Sequence, residues 1–145
     1  MMTFLVNALI VLIIAGVIGE ERANSGKAIG FRSIALVMLG AYTFTSLSMG
    51  DNGVIDYHVI AQIVTGISFV GAGLIFKDNG VHNLTTAILV WTMASVGVLI
   101  GLNKVLEAIV ISVLIFLVLS YKKRNTWKKK DFITERNLLF PILRY

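Results

Sequence analysis

Five long stretches of this 145-residue sequence carry no charged residue, and they constrain its fold more than any other feature. They cover residues 1–19, 33–50, 57–76, 79–103 and 108–121. A transmembrane helix needs about 20 predominantly apolar residues, and the last stretch reaches that length if it begins near Leu102. Because 57% of the residues are apolar and 14% are charged, the chain would be insoluble as a globular domain. The sequence therefore predicts an all-α, polytopic bundle of five transmembrane helices.

The basic residues predict how these helices are oriented, because lysine and arginine accumulate on the cytoplasmic side of a membrane. With the N-terminus outside, twelve of the thirteen basic residues fall on the inner side, and only Lys104 faces out. The outer loops instead carry the acidic residues Asp51, Asp56 and Glu107. We therefore expect the N-terminus outside and the C-terminus in the cytoplasm.

Residues 122–145 differ in composition from the predicted transmembrane domain of residues 1–121. The cluster Lys122-Lys-Arg-Asn-Thr-Trp-Lys-Lys-Lys130 directly follows the last apolar stretch and concentrates the charge behind the formal net value of +5. Basic residues beside a span attract anionic headgroups, each contributing about 1 kcal/mol near the surface. We expect a basic, partly amphipathic cytoplasmic tail that contacts anionic lipids, and no nucleic-acid partner.

Small residues within the apolar stretches predict close helix packing, because lipid supplies no hydrophobic drive between helices and small residues let backbones approach. The central run contains Gly66, Gly71 and Gly73. Pairs four positions apart, which share one helix face, occur at Ala15/Gly19, Ser46/Gly50, Ser68/Ala72 and Gly97/Gly101. We expect such faces to support a homo-oligomer. The alternative is an ion path near the third and fourth helices, lined by Gln62, Thr85 and Thr86.

Charged residues of both signs are predicted to lie together at the inner membrane face: Glu21, Arg22, Lys27, Arg32, Lys77 and Asp78. An arginine fork can hold a carboxylate through two hydrogen bonds, which lysine cannot do. We therefore expect Glu21, Arg22 and Arg32 to form a paired network that receives a ligand or a partner. The alternative is a solvated positive flank, whose exposed pairs contribute little energy.

Patterns typical of enzymes do not occur in the sequence. It has no cysteine, no nucleotide-binding glycine loop, no HExxH and no GxSxG motif, so we expect no enzyme activity and no cofactor. Charges are absent from the predicted spans, which argues against a proton relay or a carboxylate-lined magnesium pore. Asp51 and Asp56 could concentrate cations at an outer mouth, or they are ordinary solvated loop acids. We expect no bound metal.

Several motifs follow one another along the chain: Gly19-Glu-Glu-Arg22, Gly26-Lys27, Gly30-Phe-Arg-Ser33, Ala61-Gln62, Gly66-Ile-Ser-Phe-Val-Gly-Ala-Gly-Leu-Ile-Phe76, and Asn83-Leu-Thr-Thr-Ala87 with Trp91. In this order and spacing they resemble the MgtC/SapB family of bacterial membrane proteins. The resemblance covers nearly all of residues 10–102.

This resemblance implies a multi-pass protein of the bacterial inner (cytoplasmic) membrane, in a family linked to magnesium limitation, acid tolerance and intracellular survival. It leads us to expect a protein that modulates membrane physiology or a partner membrane protein under magnesium limitation or acid stress. The alternative is a transporter or channel for Mg²⁺ or another ion. Many relatives carry a soluble ligand-binding-type domain after the last span, and the sequence stops at Tyr145, so we expect a short form without that domain.

Overall fold

Five α-helices make up almost all of the described chain, which in this computed structural model comprises residues 1–27, 29–50, 53–77 and 81–121. They are α1 (Met2–Asn24), α2 (Phe31–Leu47), α3 (Tyr57–Gly73), α4 (Leu84–Gly101) and α5 (Val105–Tyr121). A two-residue antiparallel pair, β1 (Phe76–Lys77) and β2 (Val81–His82), lies between α3 and α4. Each predicted apolar stretch thus corresponds to one helix, and the all-α class is confirmed apart from this short pair.

The helices differ in length. Two of them, α1 with 23 residues and α4 with 18 residues, are long and apolar enough to cross a membrane. Helices α2, α3 and α5 are apolar but have 17 residues each, a rise of about 25 Å. Five crossings and the orientation of the termini stay predictions at this point.

The chain divides into two compact units, Met1–Ser112 and Val113–Tyr145. The first unit contains α1 to α4 and the beginning of α5. The described part of the second unit continues α5 to Tyr121, with exposed apolar side chains such as Val113, Leu117 and Val118. The predicted basic tail, residues 122–145, lies outside the described residues.

Helix α4 is the centre of the first unit, because it packs against α2, α3 and α1. Helix α2 packs on α4 along most of its length and also on α1. The interior between these helices is filled by large side chains with less than 2% exposure: Ile18, Ile34, Met38, Tyr42, Val90, Met93, Val96 and Ile100. Helix α3 is the least enclosed of the four, and Gly71 is its one buried residue.

Glycine permits the closest helix contacts. A Cβ added to Gly97 would lie 2.5 Å from the Met38 carbonyl oxygen, and one added to Gly101 would lie 2.5 Å from the Thr45 Cβ. A Cβ on Gly19 would lie 2.4 Å from the Cα of Phe31, the first residue of α2. Only glycine fits these positions, so the α2–α4 and α1–α2 contacts depend on the absence of a side chain there.

The charged motif that follows Gly19 lies inside α1, beyond the end of the first apolar stretch. Glutamate and arginine are good helix formers, so the helix continues past the end of the apolar stretch. The helix ends at Asn24, and Gly26, whose φ of +65° is left-handed, closes the cap that follows it. The Lys27 N–H donates to the Arg22 carbonyl at 3.1 Å and the Gly26 N–H to the Ala23 carbonyl at 3.0 Å, which is a Schellman cap.

Candidate functional site

The last turn of α1 contains a buried ion pair. Arg22 contacts one carboxylate oxygen of Glu21, Oε2, through both Nε and Nη2, each at 2.6 Å. The other carboxylate oxygen, Oε1, accepts a hydrogen bond from the Ser25 hydroxyl at 2.9 Å. Only 5% of the Arg22 side chain and 8% of the Glu21 side chain are exposed. We call Glu21, Arg22 and Ser25 the Arg22 cluster.

Helical periodicity explains why this arginine is buried. The buried face of α1 consists of Asn7, Val11, Ala15, Ile18, Gly19 and Arg22, at spacings of three and four residues. Arg22 therefore continues the apolar stripe that packs on α2, one turn beyond the close contact between Gly19 and Phe31. A buried charge is tolerated only when it is paired and hydrogen-bonded, and Glu21 provides that pairing. A cation in the last turn is also favoured by the helix dipole.

The structure brings together only part of the predicted charged set. Glu21 and Arg22 form the pair, whereas the side chains of Lys27 and Arg32 are exposed. Lys77 lies in β1, and Asp78 lies outside the described residues. Within the described part of the chain the arginine fork is thus found at Arg22, and a role for Arg32 in the same network stays a prediction.

The residues of the predicted ion path do not meet. Gln62 and Gly66 line a groove between α2 and α3 that extends along most of α3, whereas Thr85 and Thr86 lie in the first turn of α4. Because α3 and α4 run in opposite directions, Gln62 is roughly 15 Å from the threonines along the helix axes. Thr86 is buried and Thr85 is exposed.

The three glycines of α3 that were predicted to pack have different surroundings. A Cβ on Gly71 would lie 3.6 Å from the Ala87 carbonyl oxygen, an ordinary contact with α4. Added Cβ atoms on Gly66 and Gly73 would meet no atom within 4 Å. Contacts of these two glycines with a second copy of the chain stay a prediction.

Asp56 has a local structural role at the opposite end of the helices. Its Oδ1 accepts the His58 backbone N–H at 2.9 Å and so caps the N-terminus of α3. Its own N–H donates to the Ser48 carbonyl at 2.9 Å, which ties the start of α3 to the end of α2. Asp51, the other predicted outer acid, lies outside the described residues. Among the described residues no group of three or more His, Cys, Asp or Glu could hold a metal ion.

A polar cluster that the sequence did not single out as a site joins three helices at this same end. The Asn7 side-chain amide donates to the Asn103 side-chain carbonyl at 3.1 Å, and the Tyr42 hydroxyl donates to the Phe4 carbonyl at 2.9 Å. These four residues border a cavity of about 350 Å³. Asn103 has a φ of +60° and closes α4 with a second Schellman cap, in which the Lys104 N–H donates to the Leu99 carbonyl at 2.9 Å. The available signal in the sequence was an asparagine at the end of the fourth uncharged stretch, because asparagine tolerates the left-handed backbone of a helix cap.

Replacing Asn7 with alanine should lower the free energy of unfolding by about 0.6 kcal/mol, the average for hydrogen bonds between transmembrane helices. Asn103→Gly should lose the same bond while retaining the left-handed backbone, whereas Asn103→Ala should lose roughly 1 kcal/mol more from backbone strain. The measurement is a double-mutant cycle of Asn7→Ala with Asn103→Gly, followed by unfolding in bicelles. Fully additive losses would contradict a direct bond between the two amides.

Apolar helices held together through glycine contacts, with ionised groups only at the helix ends of the described residues, define a helical membrane protein. The MgtC family model matches residues 8–126, which is most of the sequence. The chain therefore belongs to the MgtC family.

Curated relatives of this family are similar over the same region. The chain is 43% identical to protein MgtC of Brucella abortus (strain 2308) over 110 residues, which cover 73% of this chain and 45% of the relative. It is 35% identical to protein MgtC of Salmonella typhimurium (strain 14028s / SGSC 2262) over 116 residues, which cover 79% and 50%. The chain thus spans about half the length of the curated relatives it matches. No solved structure matches it significantly.

Proposed function

We propose that all five helices cross the bacterial inner membrane, with the N-terminus outside and the C-terminus in the cytoplasm. The distribution of basic residues supports this orientation, because Arg22, Lys27, Arg32 and Lys77 then share the inner side with the eight basic residues of the tail. Helices of 17 residues lie at the lower end of the range that spans a bilayer. In this orientation the Arg22 cluster lies at the cytoplasmic face and the Asn7–Asn103 pair at the outer face.

Within that membrane we propose that the protein modulates membrane physiology or a partner membrane protein under magnesium limitation or acid stress, and that it does so without catalysis. The observation that carries this proposal is the filled interior of the α1–α2–α4 core. Met38, Met93 and Val96 are fully buried there, and glycine contacts bring α2 against α4. A core packed in this way leaves little room for ions between α1, α2 and α4. The predicted path near α3 and α4 has little support either, because Gln62 lies roughly 15 Å from Thr85 and Thr86 along the helix axes. Both observations favour a protein that acts through its surfaces over an ion conductor.

Three kinds of partner fit this proposal. The basic tail would contact anionic lipids, because its cations follow the last helix directly. The exposed small residues of α3, among them Gly66 and Gly73, would allow a second copy of the chain to approach closely. A partner membrane protein would use the same lateral surfaces, where apolar side chains such as Phe69 are exposed.

A magnesium-flux assay tests the proposal against ion transport. Purified protein reconstituted in liposomes with an internal magnesium indicator should produce no flux above that of empty liposomes, while a known magnesium channel in parallel vesicles should produce flux. The matched variant is Asp56→Asn, because asparagine caps a helix about as well as aspartate and so removes the outer charge without unfolding α3. The variant should behave like the parent protein.

Two outcomes bear on the choice between functions. Magnesium flux that disappears in Asp56→Asn would contradict the modulating role and establish a transporter with an acidic outer mouth. Absence of flux together with a membrane protein that co-purifies with the chain from magnesium-limited cells would support the modulating role.

A further inference from the structure

A cavity of about 350 Å³ lies where the first two turns of α1 meet the last turns of α2 and the end of α4. We call it the asparagine cavity, because Asn7 of α1 and Asn103 of the turn after α4 both line its wall. Phe4 and Tyr42 also line it, and their ring centroids lie 5.0 Å apart. The volume falls within the range of small-molecule sites, about 300–1,000 Å³, and such sites often lie between the helices of a bundle.

The wall of the asparagine cavity includes two deeply buried polar side chains. Asn7 is 6% exposed and Tyr42 is 2% exposed. The Tyr42 hydroxyl already donates to the Phe4 carbonyl at 2.9 Å, which holds the tyrosine beside the Phe4 ring. Asn7 therefore supplies a buried polar group to a ligand, and the two rings supply an apolar surface next to it.

One hydrogen bond joins the two asparagine amides and leaves the rest of both amides unused. The Asn7 Nδ2 donates to the Asn103 Oδ1 at 3.1 Å, while the Asn7 Oδ1 and the Asn103 Nδ2 make no hydrogen bond among the described residues. Exchange of oxygen and nitrogen in both amides would leave the same two groups, one carbonyl oxygen and one NH₂. Each unpaired atom shares a carbon with one end of the 3.1 Å contact. One ligand group that both donates and accepts hydrogen bonds can therefore bridge them.

The uncharged wall of the asparagine cavity favours a neutral ligand over an ion. Its other described residues are Met1, Thr3, Ser46, Met49 and Gly101, and none of these side chains is charged. An ion would lose hydration on entering the cavity and would find no opposite charge on a side chain there, which is costly. A neutral carboxamide or hydroxyl group loses less hydration and satisfies both unpaired amide atoms.

We propose that the asparagine cavity binds a small neutral molecule with a carboxamide or hydroxyl group on an apolar body. The Asn7 carbonyl accepts a hydrogen bond from that group, the Asn103 NH₂ donates one to it, and the rings of Phe4 and Tyr42 contact the apolar body. This site goes beyond the proposed function and does not depend on it, because all of its residues lie in the compact unit Met1–Ser112.

Benzamide tests the proposal, because it joins a carboxamide to an apolar ring. The purified protein is held in detergent micelles with ¹⁵N in the side-chain amides of asparagine and glutamine, and their NMR signals are recorded as benzamide is added. We expect saturable shifts of the Asn7 and Asn103 signals. The amide of Gln62, which lies outside the cavity, reports benzamide that merely enters the micelle and should show no saturable shift.

Two matched compounds separate the hydrogen bonds from the apolar contact. Toluene has the ring without the amide, and benzoate has the same shape with a negative charge. Neither can donate a hydrogen bond to the Asn7 carbonyl, so both should bind at least tenfold more weakly than benzamide. Toluene or benzoate binding as tightly as benzamide would overturn the proposal.

Substitutions of the two asparagines test their roles. Asn7→Ala removes the buried acceptor and should weaken benzamide binding at least fivefold, measured through the Asn103 signal. Asn103→Gly retains the left-handed backbone, whose φ is +60°, and should weaken binding about threefold, measured through the Asn7 signal. The control Gln62→Ala should bind benzamide like the parent protein. Unchanged affinity in both asparagine variants, or equal unsaturable shifts of all three amides in the parent protein, would refute the site.

Discussion

Replacing Gly97 with alanine should destabilise the protein by about 3 kcal/mol, the upper part of the range for overpacking a close-packed interior. The added Cβ would lie 2.5 Å from the Met38 carbonyl oxygen and 3.0 Å from the Ala41 Cβ, so α2 and α4 would have to move apart. The obstacle at Met38 is backbone and cannot rotate away. The measurement is the free energy of unfolding in bicelles, determined by steric trapping.

The control for Gly97 is the same substitution at Gly16, where an added Cβ meets nothing within 4 Å. There alanine should be neutral or should stabilise the helix by up to about 1 kcal/mol, because glycine is a poor helix former. The two substitutions are chemically identical, but only the one at Gly97 should destabilise the protein. Equal stability of both variants would show that α2 and α4 do not meet at Gly97.

Removal of the Arg22 side chain should lower the free energy of unfolding at least as much as Gly97→Ala does. Arg22→Ala breaks a buried ion pair from one side, which typically costs about 3–5 kcal/mol. Glu21 would lose both of its 2.6 Å contacts while remaining buried. Arg22→Lys should fall between the parent protein and Arg22→Ala, because an ammonium keeps the charge but cannot reproduce the guanidinium fork. Unfolding in bicelles measures all three.

Two comparisons show whether the pair itself is responsible. Glu20→Ala, at an exposed charged position of the same helix, should change stability by no more than about 0.5 kcal/mol. In a cycle of Glu21→Ala with Arg22→Ala the double variant should lose less than the sum of the single losses, since residues in contact are coupled. Additive losses would mean that Arg22 stabilises the fold through other contacts.

The five helices were predictable from the sequence because membrane-length apolar stretches leave few alternatives. Their ends were less so. The apolar stretch ends at Gly19, but α1 continues to Asn24, because charge marks the border of the hydrocarbon and not the end of a helix. The end is set by Gly26, whose left-handed backbone permits the cap at Arg22. The spacing of apolar residues within α1 could not indicate that the helix ends with a cap between Lys27 and the Arg22 carbonyl.

The candidate site was only partly predictable for a related reason. The four small-residue pairs look alike in sequence, yet Gly97 and Gly101 contact α2 whereas Ser68 and Ala72 are exposed. Periodicity states which residues share a face, but not which neighbour that face meets. For the same reason Arg22 and Arg32 could not be distinguished, because burial of Arg22 depends on the start of α2 lying across Gly19.

Helix α4 has no charged side chain and is predominantly apolar on all sides, although it is the most enclosed helix of the first unit. Lipid tails accommodate such a surface as readily as neighbouring helices do, so leaving lipid yields no hydrophobic gain. In the proposed membrane arrangement, α4 therefore enters the bilayer without help from its neighbours, and packing between the helices forms a distinct later stage. At that later stage α4 becomes the central helix because Gly97 and Gly101 let its face pack closely against α2.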